Sequence, residues 1–281
     1  MKKLLLSFLG LALVAAACQS VMAPTNSYLA GKQLAAPEPL ALRLAATDSL
    51  SPAMRSFAQQ HDLSALWQGQ QGEEYARAGV PTVCAGFFGP DHYRIELVLL
   101  NVLRDAHDSL LYHVQGKDRY KKKVTAFSGD IRLQRLRRVY AEYLSSESQE
   151  KFARFYTACG EFKFCESGAA AGTFSGAIGI DFWQKPDSSL VVMSFWGNEH
   201  RQYANGGQLR LSGRWVSAKT GLHKDLLVGA DLEELSREIM PDFNIGERGF
   251  MLNPKYAKLG WNEYWGNEEW WADSPKPKLG L

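Results

Sequence analysis

Apolar and polar residues alternate at period two along much of this 281-residue chain, and no other feature restricts its fold as strongly. Successive side chains of a strand point to opposite faces, so such alternation marks strands with one face on a core and one toward water. Between His92 and Asn101, Tyr93, Ile95, Leu97 and Leu99 alternate with Arg94, Glu96 and Val98. A hairpin loop is expected at Arg104–Ser109; Leu110, Tyr112 and Val114 then resume the pattern, and Gly116–Arg119 reads as the next turn. Ile131 and Leu133 alternate with Asp130, Arg132 and Gln134. Thr173–Trp183 places Phe174, Ile178, Ile180 and Phe182 on one face, and Gln208–Ser217 does the same with Leu209, Leu211, Gly213 and Trp215. Leu190–Trp196 is continuously apolar, as expected of a strand covered on both faces.

Helices are few. Ser51 and Pro52 open one over residues 51–61, with Met54, Phe57 and Ala58 on its inner face. Ser146 with Gln149 forms a capping box for a second, whose face carries Phe152, Phe155 and Tyr156. Asp231 with Glu234 caps a third, which carries Leu232, Leu235 and Ile239 and stops at Pro241. The fold class expected is mainly β: an antiparallel bent sheet or a calycin-like β-barrel, with two or three short helices.

A short pattern echoes three times: Phe127-Ser-Gly-Asp-Ile131, Phe174-Ser-Gly-Ala-Ile178 and Leu211-Ser-Gly-Arg-Trp215. Glycine inside a strand marks a bulge, a sharp bend or the close approach of another backbone. The stretch Leu211-Ser-Gly-Arg-Trp-Val216 resembles the G-x-W strand of avidin and lipocalin barrels over about six residues, later in the chain than in those families. Gly172–Gly176, Gly213–Gly221 and Asn253–Trp261 are similar to segments of uncharacterised secreted bacterial lipoproteins, a resemblance that brings no activity with it.

Lys2 and Lys3, the apolar run Leu4–Val14 and the small residues Ala15–Ala17 have the order of an export signal, too short to span a bilayer. Cys18 follows directly. This resembles the lipobox of bacterial lipoprotein precursors, with Ala15 where leucine is usual; ordinary cleavage after Ala15-Ala16-Ala17 would cut the same bond. The resemblance implies lipidation of Cys18, and with Gln19 behind it, an outer-membrane destination. The organisation expected is a signal peptide over 1–17, a lipid-anchored tether over 18–50 rich in Ala, Leu and Pro, and a single β-rich domain over 51–281 ending in an aromatic segment. The tether has an alternative, in which Leu40, Leu42 and Leu44 form an edge strand. No other apolar run approaches the length a spanning helix needs.

Export implies an oxidising compartment, so Cys159 and Cys165 are expected to form a disulfide around Gly160–Phe164, with two buried thiols as the alternative and Cys84 left over. No C-x-x-C, H-E-x-x-H, G-x-S-x-G, P-loop or Rossmann fingerprint occurs, and the six histidines are scattered. No catalytic residue, cofactor or metal site is indicated. The net charge of +2 gives no ground for a nucleic-acid partner.

Two segments carry functional expectations. Trp261–Trp271 holds four Trp, one Tyr and three Glu in eleven residues. Aromatic faces stack on sugar rings while carboxylates and amides bond hydroxyls, so the first expectation is a non-enzymatic site for a small amphipathic or saccharide ligand. Its wall would comprise Trp196, Trp215, Trp261, Tyr264 and Trp265. The alternative is an aromatic tail packed across the sheet as a lid. A glycosidase-like pairing of Glu263 with Glu268 or Glu269 is a further reading. The second segment is Lys117–Arg138, with Lys121-Lys122-Lys123 and Arg132, Arg135, Arg137 and Arg138. It points to a structural or interaction module that binds an envelope polyanion or a protein partner, unless it is simply two solvated strand faces and a turn.

Overall fold

The structure, a computed structural model, describes residues 50–69, 81–139, 154–168, 171–192, 208–264 and 269–273. Its frame is one nine-stranded antiparallel sheet: β1 (Val83–Phe88), β2 (Tyr93–Arg104), β3 (Leu111–Tyr120), β4 (Lys123–Val139), β5 (Phe155–Glu166), β6 (Gly172–Gln184), β7 (Leu190–Val192), β8 (Arg210–Ser217) and β9 (His223–Gly229). The spatial order is β5-β4-β3-β2-β1-β9-β8-β6-β7, and β5 also pairs with β6. One edge of β6 is divided between β8, along Gly172–Gly179, and β7, along Phe182–Gln184. Among the described residues no helix is long and apolar enough to cross a membrane.

The expectation of a calycin-like β-barrel is corrected to a bent sheet. β6 has three partners rather than two, β7 is a three-residue piece paired with β6 alone among the described strands, and the concave face is packed with side chains where a calycin holds a ligand. The bend has a cause in the echoed Ser-Gly pattern. Gly176 and Gly213 face each other in the β6–β8 register, and a Cβ on either would collide with the opposite backbone at Ser212 or Ser175. A Cβ on Gly129 would collide in the same way with Lys163. Side-chain-free positions on neighbouring strands let the backbones close up where the sheet turns.

Inward rows fill the concavity: Ile95, Leu97 and Leu99 from β2, Tyr112 and Val114 from β3, Phe127, Ile131 and Leu133 from β4, Phe162 and Phe164 from β5, and Phe174, Ile178, Ile180 and Phe182 from β6. One end is plugged by two helices. In α1 (Pro52–Gln60) the Ser51 hydroxyl accepts from the Met54 amide at 3.3 Å, as the cap predicted from sequence requires. Phe57 stands against Tyr156 and Phe182 at ring separations of 4.6 and 6.4 Å. The short α2 (Ser64–Trp67) buries Leu66 and Trp67, the latter edge-on to Tyr112 at 6.3 Å.

The outer face of β1 and β9 carries a second, smaller core. Phe87 meets Leu232 and Leu235 of α3 (Leu232–Ile239), with Met240, Phe243 and Trp261. Two 3₁₀ turns, Pro254–Leu259 and Trp261–Glu263, carry the chain across it.

Two local expectations are overturned. Phe155 and Tyr156 belong to β5, not to a helix; alternation of buried Tyr156, Ala158, Phe162 and Phe164 with outward Glu161 and Lys163 outweighs the helical spacing. The capping box at Ser146 and Gln149 lies outside the described residues. Gly116–Arg119 is not a turn: β3 runs through it, and the chain reverses at Lys121-Lys122 instead, where both residues have positive φ (49° and 66°). Gly116 is in strand because a Cβ there would collide with the Phe127 ring and the Val98 carbonyl.

The expected disulfide is also absent. Cys159 and Cys165 sit six residues apart on β5, about 20 Å along an extended strand, whereas a disulfide needs Cα atoms within about 7 Å. Cys84 and Cys159 are buried thiols, and burial pushes Cys84 up to about 12.

Candidate functional site

Among the described residues, three gatherings of charged or polar side chains bear on function. The first is the end of the concavity opposite the helical plug. The inward row of β3 (Tyr112, Val114, Gly116) ends in a charge, Asp118, and the inward row of β5 (Phe162, Phe164) ends in Glu166. Glu166 Oε2 accepts from the Trp215 indole N–H and from the Gly172 amide, both at 2.7 Å. Asp118 is 2% exposed, and its neighbour across β4 is Glu166. Burial, reinforced by the Glu166 charge and hydrogen bond, pushes the Asp118 carboxyl up to about 8. Burial and the Glu166 charge thus favour the neutral form of Asp118, hydrogen-bonded to Glu166, which already accepts two other donors. Beside this pair, Lys224 donates to the Tyr120 hydroxyl at 3.2 Å and lies over the rings of Phe88 and Tyr120, 4.9 and 4.5 Å from their centroids. The arrangement can hold and release one proton and fixes the indole of Trp215.

The second place is on the outer face. Arg94 and Glu96 point outward from β2, yet each is only 7% exposed because the C-terminal turns cover them. Glu96 Oε2 accepts from Arg119 Nε at 2.6 Å and lies 3.1 Å from Arg94 Nη2. Arg94 Nη1 also donates to the Gly260 carbonyl at 3.1 Å, which ties β2 to the αL residue between the two 3₁₀ turns. Arg119 lies over the Trp270 ring at 5.1 Å. Next to it, Lys117 donates to the Trp271 carbonyl and to Asp273, at 2.7 and 2.8 Å. Between these strands and the 3₁₀ turns runs a groove lined by Tyr93, Arg94, Glu96, Arg119, Lys121 and Lys122 from the sheet and by Lys258, Asn262 and Glu263 from the C-terminal segment. Glu263 pairs with Lys122 at 2.8 Å, which holds its carboxyl below the usual range.

The third is a surface cluster beside the β2–β3 loop. His113 Nδ1 lies 2.8 Å from Asp130 and its Nε2 lies 3.0 Å from Asp105. Hydrogen bonds to Asp105 and then Asp130 raise the imidazole above its ordinary value, and the His113 bond comes first among those that hold Asp105 down to about 2. Among the described residues no group of three or more His, Cys, Asp or Glu could hold a metal ion.

The ligand-wall residues expected from sequence do not converge. Trp261 is 1% exposed and sits in the second core, 5.2 Å from Phe87 and 4.7 Å from Phe243. Tyr264 packs on Phe250 and Trp261 at the same core. Trp215 lies on the other side of the sheet, in the concavity, bonded to Glu166. Physically, each large ring gains more from burial against its own apolar neighbours than from standing open to water. Trp196, Trp265, Glu268 and Cys18 lie outside the described residues.

Of the basic stretch, Arg119, Lys121 and Lys122 border the groove, while Arg132 pairs with Asp108 at 2.9 Å and Arg135 reaches the Cys159 thiol at 3.6 Å. Sequence reasoning missed Asp118, Glu166, Arg94, Glu96 and Lys258. A signal existed for Asp118, a charge in phase with Tyr112 and Val114, but placing a turn at Gly116–Arg119 hid it.

No protein-family model, curated protein or solved structure matches the chain.

Proposed function

We propose that the protein is an exported, lipid-anchored module of the cell envelope, non-enzymatic, whose outer face binds an anionic partner. The observation that carries this reading is the composition of the outer groove: five cationic side chains (Arg94, Arg119, Lys121, Lys122, Lys258) against two carboxylates (Glu96, Glu263). Three of the five come from the basic stretch. The other two are brought to it by folding, from β2 and from the C-terminal 3₁₀ turn. Cations grouped in a concave, partly covered site raise the local potential and draw in anions. The aromatic-wall reading has less support, because its three described residues serve two separate cores on opposite faces of the sheet.

The test is co-sedimentation of the full mature chain with phosphatidic acid vesicles, using phosphatidylcholine vesicles as the control. Binding should weaken by about tenfold or more as salt rises from roughly 50 to 500 mM, because the Debye length contracts across that range. The Lys121→Glu, Lys122→Glu, Lys123→Glu variant should lose it at low salt. Salt-independent binding, or full binding by that variant, overturns the reading.

A further inference from the structure

The groove is built more narrowly than a general anionic surface requires. Two guanidinium groups, Arg94 and Arg119, meet on one oxygen of a single carboxylate, Glu96 Oε2. Each is also fixed from another side, Arg94 by the Gly260 carbonyl and Arg119 by the face of Trp270. Side chains held this way have already lost the rotamer freedom that binding would otherwise cost. Around them stand Lys121, Lys122 and Lys258, with Tyr93 lining the sheet side and Asn262 the C-terminal side.

Two lysines occupy the turn at a conformational cost. Lys121 and Lys122 both have positive φ, where Asn or Gly would sit with little strain and any other L-residue costs on the order of 1 kcal/mol. Strain retained at neighbouring residues on the lip of a groove points to the side chains and not to the turn. The Lys122–Glu263 pair closes part of the rim, but its members are 79% and 47% exposed. A pair so exposed is worth little, so an incoming anion can take Lys122 from Glu263.

Charge and shape together select the anion. Five cations and two carboxylates leave the lining positive by three. A carboxylate offers one charge and two oxygens. A phosphate monoester offers between one and two charges at neutral pH and three strong acceptor oxygens. Planar guanidinium forks match phosphate oxygens in pairs, and lysines add compact charge around them. The half-open groove leaves the esterified alcohol in solvent, so the rest of the ligand is not selected by the fold.

We propose that the groove between the β2–β4 hairpins and the C-terminal 3₁₀ turns is a binding site for a phosphate monoester group, with Arg94 and Arg119 as its base and Lys121, Lys122 and Lys258 as its rim. This rests on the anionic-partner reading of the same face and narrows it. The monoester can be a lipid headgroup or a soluble phosphate ester, and the experiment separates these.

Calorimetric titration of the full mature chain with phenyl phosphate and with benzoate, at matched ionic strength, is the first measurement. Phenyl phosphate should bind at least tenfold more tightly. Arg119→Gln and, separately, the exposed rim variant Lys258→Glu should each weaken it about tenfold, while Lys163→Glu on the outer face of β5 leaves it unchanged. The Lys258 variant keeps the test decisive should Arg119→Gln fail to fold. Displacement of the chain from phosphatidic acid vesicles by phenyl phosphate assigns the headgroup as the source; phenyl phosphate binding without vesicle binding assigns a soluble ester. Equal affinity for phenyl phosphate and benzoate, or wild-type affinity in both groove variants, overturns the proposal. If vesicle binding then persists with its salt dependence, the broader reading stands without the narrower one; if it too is absent, both fall.

Discussion

Asp118 shows how far a single position can depart from the sequence average. A carboxylic acid at the end of an inward row, 2% exposed and against a second carboxylate, is stable there only while it keeps its proton. Its folded-state value near 8 lies above the ordinary value near 4, so between those two pH values the folded chain holds a proton that the unfolded chain has released. The contribution is complete below about pH 4 and is lost as pH rises to about 8. Asp118→Asn, which keeps the shape and a donor toward Glu166, should remove that slope: melting near that of the wild type at pH 4, and higher by about 5 °C at pH 8. Parallel melting curves for the two proteins across the range would show that Asp118 does not carry the proton. His113 has the opposite exposure and the same sign. Its imidazole can donate to both Asp105 and Asp130 only when protonated, so its pinning of the β2–β3 loop is present below the ordinary histidine value and fades as pH passes the raised one. An NMR titration of His113 should give an apparent value above 6.5, and Asp105→Asn and Asp130→Asn should each bring it down. A value that neither substitution moves would sever His113 from both carboxylates.

At the level of elements, the strands were legible in the sequence and their ends were not. Period-two runs marked the segments that became β2, β4, β6 and β8, because one face of each meets a core. The turn after β3 was misplaced because glycine has two uses. Gly116 is required by a neighbouring ring and carbonyl, while the reversal falls further on, at Lys121-Lys122, a dipeptide without turn propensity. The helical assignment of Phe155 and Tyr156 failed for a related reason: both fit either period, and pairing with Trp183 and Phe182 on β6 decided between them. The Lys121-Lys122 turn yields a prediction that sets stability against binding. Replacing it by Asn-Gly relieves two positive-φ residues and should raise unfolding free energy by about 1–2 kcal/mol in urea titration. The same variant should bind phosphatidic acid vesicles more weakly than the wild type. A destabilised turn, or unchanged vesicle binding in the stabilised variant, would mean that the two lysines are not held there for an anion.

At the scale of the whole molecule, one sheet serves two cores, and the candidate site exists only because the second core forms. The concave core draws on strand rows that sequence shows directly. The groove does not, because its base joins Arg94 of β2 to Gly260 across 166 residues, a contact no local period can announce. The aromatic C-terminal segment was read both as a ligand wall and as a packed lid, and the burial of Trp261 favours the lid. Trp261 touches Phe87, Phe243 and Tyr264, and its indole N–H donates to the His92 carbonyl at 3.3 Å, so it is the anchor that holds the 3₁₀ turns against β1 and β2. Truncating a buried tryptophan costs on the order of 3–5 kcal/mol. Here most of that loss falls on the second core, since none of the rings it touches belongs to the concave one. Trp261→Ala should therefore lower the first of two unfolding steps, expose Lys258 and the C-terminal turns to hydrogen exchange, and abolish groove binding, while amides of β4, β5 and β6 keep their protection. Trp261→Phe, which restores much of the apolar contact, should recover part of the binding. If Trp261→Ala instead weakens protection evenly over the sheet, the two cores are one cooperative unit; if it leaves phosphate binding intact, the C-terminal turns do not build the site.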